Sequence, residues 1–376
     1  MATVTAERGT RFAGRAQVVA RAAMYRLASG GRRAPPLEPR RILIAHHLLL
    51  GDTLMLTPLI AKLRERHREA DLVMALPDVY APLYASRPYG LRAIGWNPRC
   101  PAASDLWRER GFDLAVCPGD NRFSWLALAL GARWIVAFAG DRPAYKSWPV
   151  DEMWRYPGTP AAWGDMVARL VDGPPPAAYS PEHWPAPPMQ ALVAPIRPYA
   201  VLHVGASSAL KQWDATRWAE LAERLAAQGI TPLWSAGPGE EEIVRACDPG
   251  ARHSSIAGML TLPQIWHLLA RASLLVSPDT GIAHLGRVVG TPTVALFGPG
   301  SATITGAGEF WRDAPYRAVT VEPFPCRDQR VLFKREIAWV RRCARSLQEC
   351  PHPRCMDAIP VERVLAAIAA LGVVPV

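Results

Sequence analysis

Short apolar runs alternating with amphipathic stretches begin at residue 41 and recur almost to the end of the chain. Residues 42–45, 72–76, 114–117 and 134–138 are nearly continuous apolar runs of strand length. Between the first two, residues 53–69 place Leu54, Leu56, Leu59, Ile60 and Leu63 at helical spacing with charges on the far side. A second series follows: predicted strands over 199–204, 231–235, 274–277 and 293–297, and predicted helices over 215–227, 240–246, 263–271 and 282–289. Runs that are continuous rather than alternating suit parallel strands covered on both faces. The order of elements therefore predicts an α/β protein of two Rossmann-like domains, their parallel sheets facing a central cleft. Residues 174–198 separate the two series and hold nine prolines, which exclude a regular helix or an inner strand. That stretch is expected to be a semi-rigid linker. The resulting plan is a leader over 1–40, an N-terminal domain over 41–173, the linker over 174–198, a C-terminal domain over 199–358 and a final helix within 359–376.

Charge changes the picture at two places. The chain of 376 residues carries a formal net charge of +10. Arg8, Arg11, Arg15, Arg21, Arg26, Arg32, Arg33 and Arg40 face only Glu7 and Glu38 in the leader, and residues 327–345 hold seven basic against two acidic side chains. Such patches attract anionic partners, whether phosphorylated substrates or a membrane surface. No aromatic-interleaved basic motif or nucleic-acid module is present, so nucleic acid is not an expected partner. Residues 12–29 read either as a basic amphipathic helix lying on anionic lipid or as a partly disordered Arg/Ala-rich leader. There is no signal-peptide core and no uncharged apolar run of 18 residues, and the seven cysteines do not form a secreted disulfide framework. A cytoplasmic protein is expected.

Candidate chemistry gathers where strands hand over to helices, the edge at which open α/β sheets bind ligands. After the strand at 274–277 come Asp279, Thr280, Gly281 and, one helical turn later, His284. A helix starting at Gly281 aims free N–H groups at the crevice and suits a phosphate. His284 reads either as a packing residue or as a donor to that phosphate. Gly51-Asp52 follows the first strand; Asp52 reads as a general base toward a hydroxyl or simply as a helix cap. Ser207, Ser208 and Lys211 follow the strand at 199–204, where two hydroxyls and an ammonium suit phosphate oxygens; an ordinary βα loop is the alternative. Glu240 occupies the same place after the next strand, suiting ribose hydroxyls, with Glu241 and Glu242 as competitors for that role. Cys326, Cys343, Cys350 and Cys355 are separated by 16, 6 and 4 intervening residues, without a CxxC pair, and read as reduced structural thiols or as a zinc or iron site.

Several segments, ILIAHHLLLGDTLMLTPLIAKLRER, HVGAS followed by KQW, AGPGEE, SPDTGIAHLGRVVGTPTVALFGP and CMDAI, occur in one order. Together they resemble the ADP-heptose:lipopolysaccharide heptosyltransferase family, glycosyltransferase family 9, over about residues 41–372. The resemblance implies a two-domain GT-B fold, inversion at the transferred sugar and no catalytic metal. Asp52 then corresponds to the base acting on the acceptor hydroxyl, with Gly51 on the acceptor side. Lys211 matches the lysine at the donor phosphates, Glu240 the acid near the nucleoside, and Asp279, Thr280, Gly281 and His284 the donor loop. ADP-heptose is the implied donor, lipopolysaccharide core the implied acceptor, and the cytoplasmic side of the inner membrane the implied place. Residues 360–371 are implied to form a helix that packs back across the cleft. The two histidines and bulky leucines of HHLLLGD depart from the family pattern and bear on acceptor choice. A nicotinamide oxidoreductase is disfavoured because no GxGxxG follows the first strand. A transferase using another nucleotide sugar or a protein acceptor stays open, as does a non-catalytic sugar-nucleotide-binding protein.

Overall fold

Two parallel sheets stand where the two series of apolar runs lie. The computed structural model describes residues 11–28, 34–99, 104–193 and 195–373. The N-terminal part comprises α1 (Arg11–Ala28), β1 (Arg41–Ala45), α2 (Leu50–Leu54), α3 (Thr57–Arg66), β2 (Asp71–Leu76), β3 (Arg92–Gly95), β4 (Leu114–Cys117), α4 (Phe123–Ala129), β5 (Trp134–Phe138), β6 (Glu152–Trp154) and α5 (Trp163–Ala168). The C-terminal part comprises β7 (Tyr199–His203), α6 (Ala215–Ala227), β8 (Thr231–Ser235), α7 (Glu241–Cys247), α8 (Leu262–Arg271), β9 (Leu274–Pro278), α9 (Gly281–Val289), β10 (Thr293–Phe297), α10 (Ala302–Thr305), β11 (Tyr316–Thr320), the hairpin β12 (Val331–Leu332) and β13 (Arg335–Glu336), α11 (Arg354–Asp357) and α12 (Val361–Ala369). The first sheet has the order β3-β2-β1-β4-β5-β6 and the second β11-β10-β9-β7-β8, with every pairing in both parallel.

Strand faces explain the unbroken apolar runs. In β1, Ile42 and Ile44 join one core cluster while Leu43 and Ala45 join another on the opposite face. Tyr199 and Val201 of β7 likewise part from Ala200 and Leu202. Both faces of each sheet are therefore dry, and neither tolerates polar alternation.

Three expectations are corrected and a further one, the linker, is filled in. The helix expected over 53–69 is two helices, because Pro58 in the first turn of α3 lacks the N–H that would bond back to Leu54. Thr57 Oγ1 donates to the Leu54 carbonyl instead (2.6 Å). The leader helix does not offer its apolar face to lipid: Val18 and Ala22 of α1 are buried in the core cluster that holds Leu126 of α4, and Arg21 lies over the Trp107 ring at 4.4 Å. Residues 1–10 and 29–33 of the leader lie outside the described residues. The Pro-rich stretch, expected as a semi-rigid linker, also packs against both halves. Tyr179 OH donates to the Val288 carbonyl (2.6 Å), and Trp184 packs between Tyr84 and Trp266 at ring separations of 4.9 and 5.7 Å.

The C-terminal helix is the third correction. Instead of packing back across the cleft, α12 buries Val361, Val364 and Ile368 in the core of the second sheet. The crossing is made by the β12–β13 hairpin, which inserts Arg335 into the N-terminal domain. There the guanidinium donates to Ala139 O (2.9 Å), Gly119 O (3.0 Å), Phe138 O (3.1 Å) and Asn121 Oδ1 (2.7 Å).

Candidate active site

Each sheet reverses direction beside its first strand, and the two reversals face one another. β1 lies between β2 and β4, and β7 between β8 and β9, so connections leave in opposite directions and open a crevice at each carboxyl edge. Together the crevices form a cleft of about 1070 Å³. Gly51 and Asp52 line it from the first sheet. Ser207, Ser208, Lys211, Glu240, Asp279, Thr280, Gly281 and His284 line it from the second. All ten of these sequence-selected positions thus meet at one place.

Across the floor the two halves touch. A Cβ on Gly51 would lie 2.8 Å from His284 Cδ2, and one on Gly281 would lie 2.9 Å from the Leu50 side chain. Glycine at both positions lets the first turns of α2 and α9 meet. Asp52 opens onto the cleft yet is enclosed by protein, and among the described residues its carboxylate has no hydrogen-bond or ion-pair partner. Burial pushes its pKa up to about 6; the Asp279 charge adds to this, while Lys211 and Arg342 oppose it.

On the other side, Lys211 Nζ donates to the Asp279 carbonyl (2.7 Å) and to Asp279 Oδ2 (3.0 Å). Thr305 Oγ1 donates to Asp279 Oδ1 (3.2 Å). Asp279 therefore holds Lys211 at the mouth of the crevice, and one of the three ammonium protons stays available. Thr280, its hydroxyl bonded to Ser277 Oγ (3.0 Å), makes no side-chain bond to the N–H groups of α9, so the helix's first N–H groups stay directed at the cleft. Glu240 accepts from Gly237 N (2.7 Å) through Oε2, and among the described residues its Oε1 has no hydrogen-bond partner. Glu241 accepts from Gly239 N and Glu242 pairs with Arg245, and of the three acids only Glu240 lines the cleft. Ser208 Oγ accepts from Leu210 N (3.3 Å), leaving its proton free to donate, while Ser207 is exposed to the cleft.

The family model for glycosyltransferase family 9 (heptosyltransferase) matches residues 108–328, more than half of the chain. The chain belongs to glycosyltransferase family 9. It is 26% identical over 289 residues to lipopolysaccharide heptosyltransferase 1 of Pseudomonas aeruginosa, covering 71% of this chain and 76% of that one. Among solved structures, a family-9 glycosyltransferase from Veillonella parvula superposes with a TM-score of 0.67 at 17% identity, covering 90% of this chain and 98% of the other. The Escherichia coli ADP-heptose lipopolysaccharide heptosyltransferase II gives 0.65 at 19% identity, covering 88% and 98%. At these identities the structural likeness speaks for the GT-B fold.

Sequence reading of this family-9 glycosyltransferase missed several residues that line the cleft or lie buried behind it. Arg287, fully buried, donates to His284 Nδ1 (2.9 Å) and to Gly306 O (2.6 Å) and lies over the rings of Trp311 and Tyr316. A donor at Nδ1 makes that nitrogen an acceptor, which places the imidazole proton on Nε2, the atom beside Gly51. Burial and the Arg287 charge hold His284 well below the usual histidine range, so it stays neutral. The signal was present, since Arg287 follows His284 by three residues, one helical turn. His203, at the end of β7, also lines the cleft and is bonded to Ser235 Oγ (3.0 Å); burial lowers it to about 4. In the HHLLLGD segment, His46 is buried with Nδ1 accepting from Leu48 N, while Leu49 and Leu50 line the cleft.

The four cysteines converge less usefully. Cys326, Cys343, Cys350 and Cys355 line a separate cavity of about 90 Å³, and Cys343 also reaches the main cleft. All four are unpaired. Burial pushes the Cys343 and Cys355 thiols up, and among the described residues no three His, Cys, Asp or Glu side chains are arranged to hold a metal ion.

Proposed function

We propose that the protein transfers heptose from ADP-heptose to a hydroxyl of a lipopolysaccharide core acceptor, with inversion at the transferred carbon and with Asp52 as general base. The observation that carries this reading is the placement of an unpartnered carboxylate of raised pKa opposite an anion-binding edge, with the two halves in contact. The Asp52 carboxylate takes the acceptor proton as the new C–O bond forms on one face of the sugar. The bond to the diphosphate breaks on the other, through an oxocarbenium-like state. Negative charge grows on the leaving ADP. Lys211 and the open N-terminus of α9 stabilise that charge where it develops, and the neutral His284 supplies a further N–H. Glu240, with one oxygen free, suits the ribose hydroxyls.

Titration calorimetry tests the donor and its site. ADP-heptose is expected to bind in preference to GDP-mannose, UDP-glucose and NAD. Asp279→Ala, which removes the carboxylate anchor of Lys211 and leaves only the backbone carbonyl, is expected to weaken that binding by about 10- to 100-fold. Preference for another sugar nucleotide would move the protein to a different transferase activity, and binding of NAD alone would overturn the reading.

The same reading puts the enzyme on the cytoplasmic face of the inner membrane as a peripheral protein. Among the described residues no helix is long and apolar enough to cross a membrane. The net charge of +10 favours an anionic surface. Co-flotation with phosphatidylglycerol vesicles, lost in high salt and absent with phosphatidylcholine, is the expected result; equal flotation with both lipids would refute an electrostatic attachment.

A further inference from the structure

The basic segment over 327–345 stood out in the sequence without a role, and the structure separates its seven cations. Arg327 is buried against Glu322 (3.0 Å) and the Phe297 carbonyl (3.3 Å). Arg335 is the plug in the N-terminal domain. Arg345 forms a two-point pair with Asp328 (3.0 and 2.7 Å). Arg341 donates to the Ala338 and Val340 carbonyls, Lys334 lies 3.8 Å from Asp120, and Arg330 is exposed away from the cleft. Arg342 differs from all six. Its side chain lines the cleft, half-buried, and among the described residues it has no hydrogen-bond or ion-pair partner.

Its backbone is held firmly. Arg342 N donates to Gln329 O (3.2 Å) and Gln329 N to Arg342 O (3.0 Å), while the next residue, Cys343, donates to Pro299 O (3.0 Å) beyond β10. The guanidinium therefore projects from an anchored bridge into the space between the two carboxyl edges, within electrostatic reach of Asp52. The other cations at the cleft are engaged: Lys211 by Asp279 and Arg345 by Asp328. A planar fork with free donors in a partly dry cleft fits one class of ligand, a phosphate or carboxylate met in two-point fashion.

We infer that Arg342 forms an oxyanion subsite of the cleft, separate from Lys211, that binds a phosphate or carboxylate group of a substrate. The inference rests on the transferase reading and leaves two sources for the anion, the donor's diphosphate and an acidic group on the acceptor glycan.

Arg342→Gln and Arg342→Lys, each checked for native circular dichroism, distinguish these sources. ADP, ADP-heptose and inorganic pyrophosphate are titrated into all three proteins, and kcat and KM are measured against an acidic acceptor glycan. A fall of about 10- to 100-fold in ADP and pyrophosphate affinity in Arg342→Gln assigns the subsite to the diphosphate. Unchanged affinity for both, with acceptor KM raised by the same factor and partly restored in Arg342→Lys, assigns it to the acceptor. Unchanged affinities and unchanged KM overturn the inference. So does a change confined to kcat and its acid limb, because Arg342 would then act only through the charge on Asp52. If wild type binds pyrophosphate but no ADP-sugar, the transferase reading fails while the pyrophosphate comparison still decides the subsite. Binding of neither by wild type, with no turnover, removes both.

Discussion

Asp52→Asn lowers kcat by about 10²–10⁴-fold, the usual contribution of a general base, and leaves ADP-heptose binding intact. The amide keeps the size and place of the carboxylate but cannot accept the acceptor's proton. On the proposed reading donor contacts are untouched, because the groups assigned to the diphosphate and nucleoside come from the second sheet. The pH dependence gives an independent signature. The base works only when ionised, and burial raises its pKa to about 6, so kcat should rise with pH through about 6 and level off above it. An unperturbed carboxyl would place that limb near pH 4. The stability effect has the opposite sign to a loss of structure. Between about pH 4 and 6 the folded protein holds a proton that the unfolded chain has released, so stability from this group falls as pH rises through that window. The neutral amide has no such loss, and Asp52→Asn should be at least as stable as wild type at pH 7. Stopped activity assays, calorimetry and a thermal melt on one preparation check all three statements. Retention of near-wild-type kcat would remove Asp52 from the chemistry. Loss of kcat with intact donor binding would exclude a purely binding protein.

Arg335→Met destabilises the protein by about 3–5 kcal/mol, the scale for removing one partner from a buried charged network. Its guanidinium is almost fully buried, bonded to four acceptors of the N-terminal domain, and lies 3.7 Å from Asp141 Oδ2. Methionine fills much of the volume but removes the donor from those acceptors, of which Phe138 O keeps a bond from Asn121 Nδ2 (2.9 Å), and strips a counter-charge from Asp141, leaving it to Lys146 alone (3.1 Å). Arg335→Lys keeps the charge without the fork and should lose less. Lys334→Ala, one residue away on the exposed turn, should stay within about 0.5 kcal/mol. Urea unfolding of the three variants, with hydrogen exchange of the hairpin amides, reads the result. Because Leu332, Phe333 and Arg342 reach the cleft from the same segment, Arg335→Met should also lower kcat at temperatures where the protein remains folded. Equal stability of Arg335→Met and Lys334→Ala would show that the plug contributes little to holding the domains.

The sheets were legible because their physics is local. Strands buried on both faces must be unbroken apolar runs, and β4, β5, β8 and β10 lie at the residues the pattern indicated. β3 and β6 escaped because they are edge strands, part-buried or exposed throughout, so no apolar run marks them. The donor edge was legible for a similar reason. Asp279, Thr280, Gly281 and His284 lie within six residues on one strand–helix turn, so the spacing itself carries their geometry. Which of Glu240, Glu241 and Glu242 enters the cleft was not local, since it depends on the approach of the β7 loop.

What the sequence determined by itself was the βα alternation, the two-domain class and the contiguous site loops, all set by burial and spacing within a few residues. Only the tertiary structure decided where α1 and α12 dock, because an amphipathic helix specifies that it will bury a face and not against what. It alone decided the hairpin. Phe333 and Lys334 both adopt positive φ (46° and 65°) at a two-residue turn where Asn-Gly would have been the signal. Phe333 packs on Trp163 at 4.7 Å, and the turn aims Arg335 at carbonyls about 200 positions earlier in the chain. Seven cations between residues 327 and 345 look alike in sequence, since what separates them is the distant acceptor each one reaches.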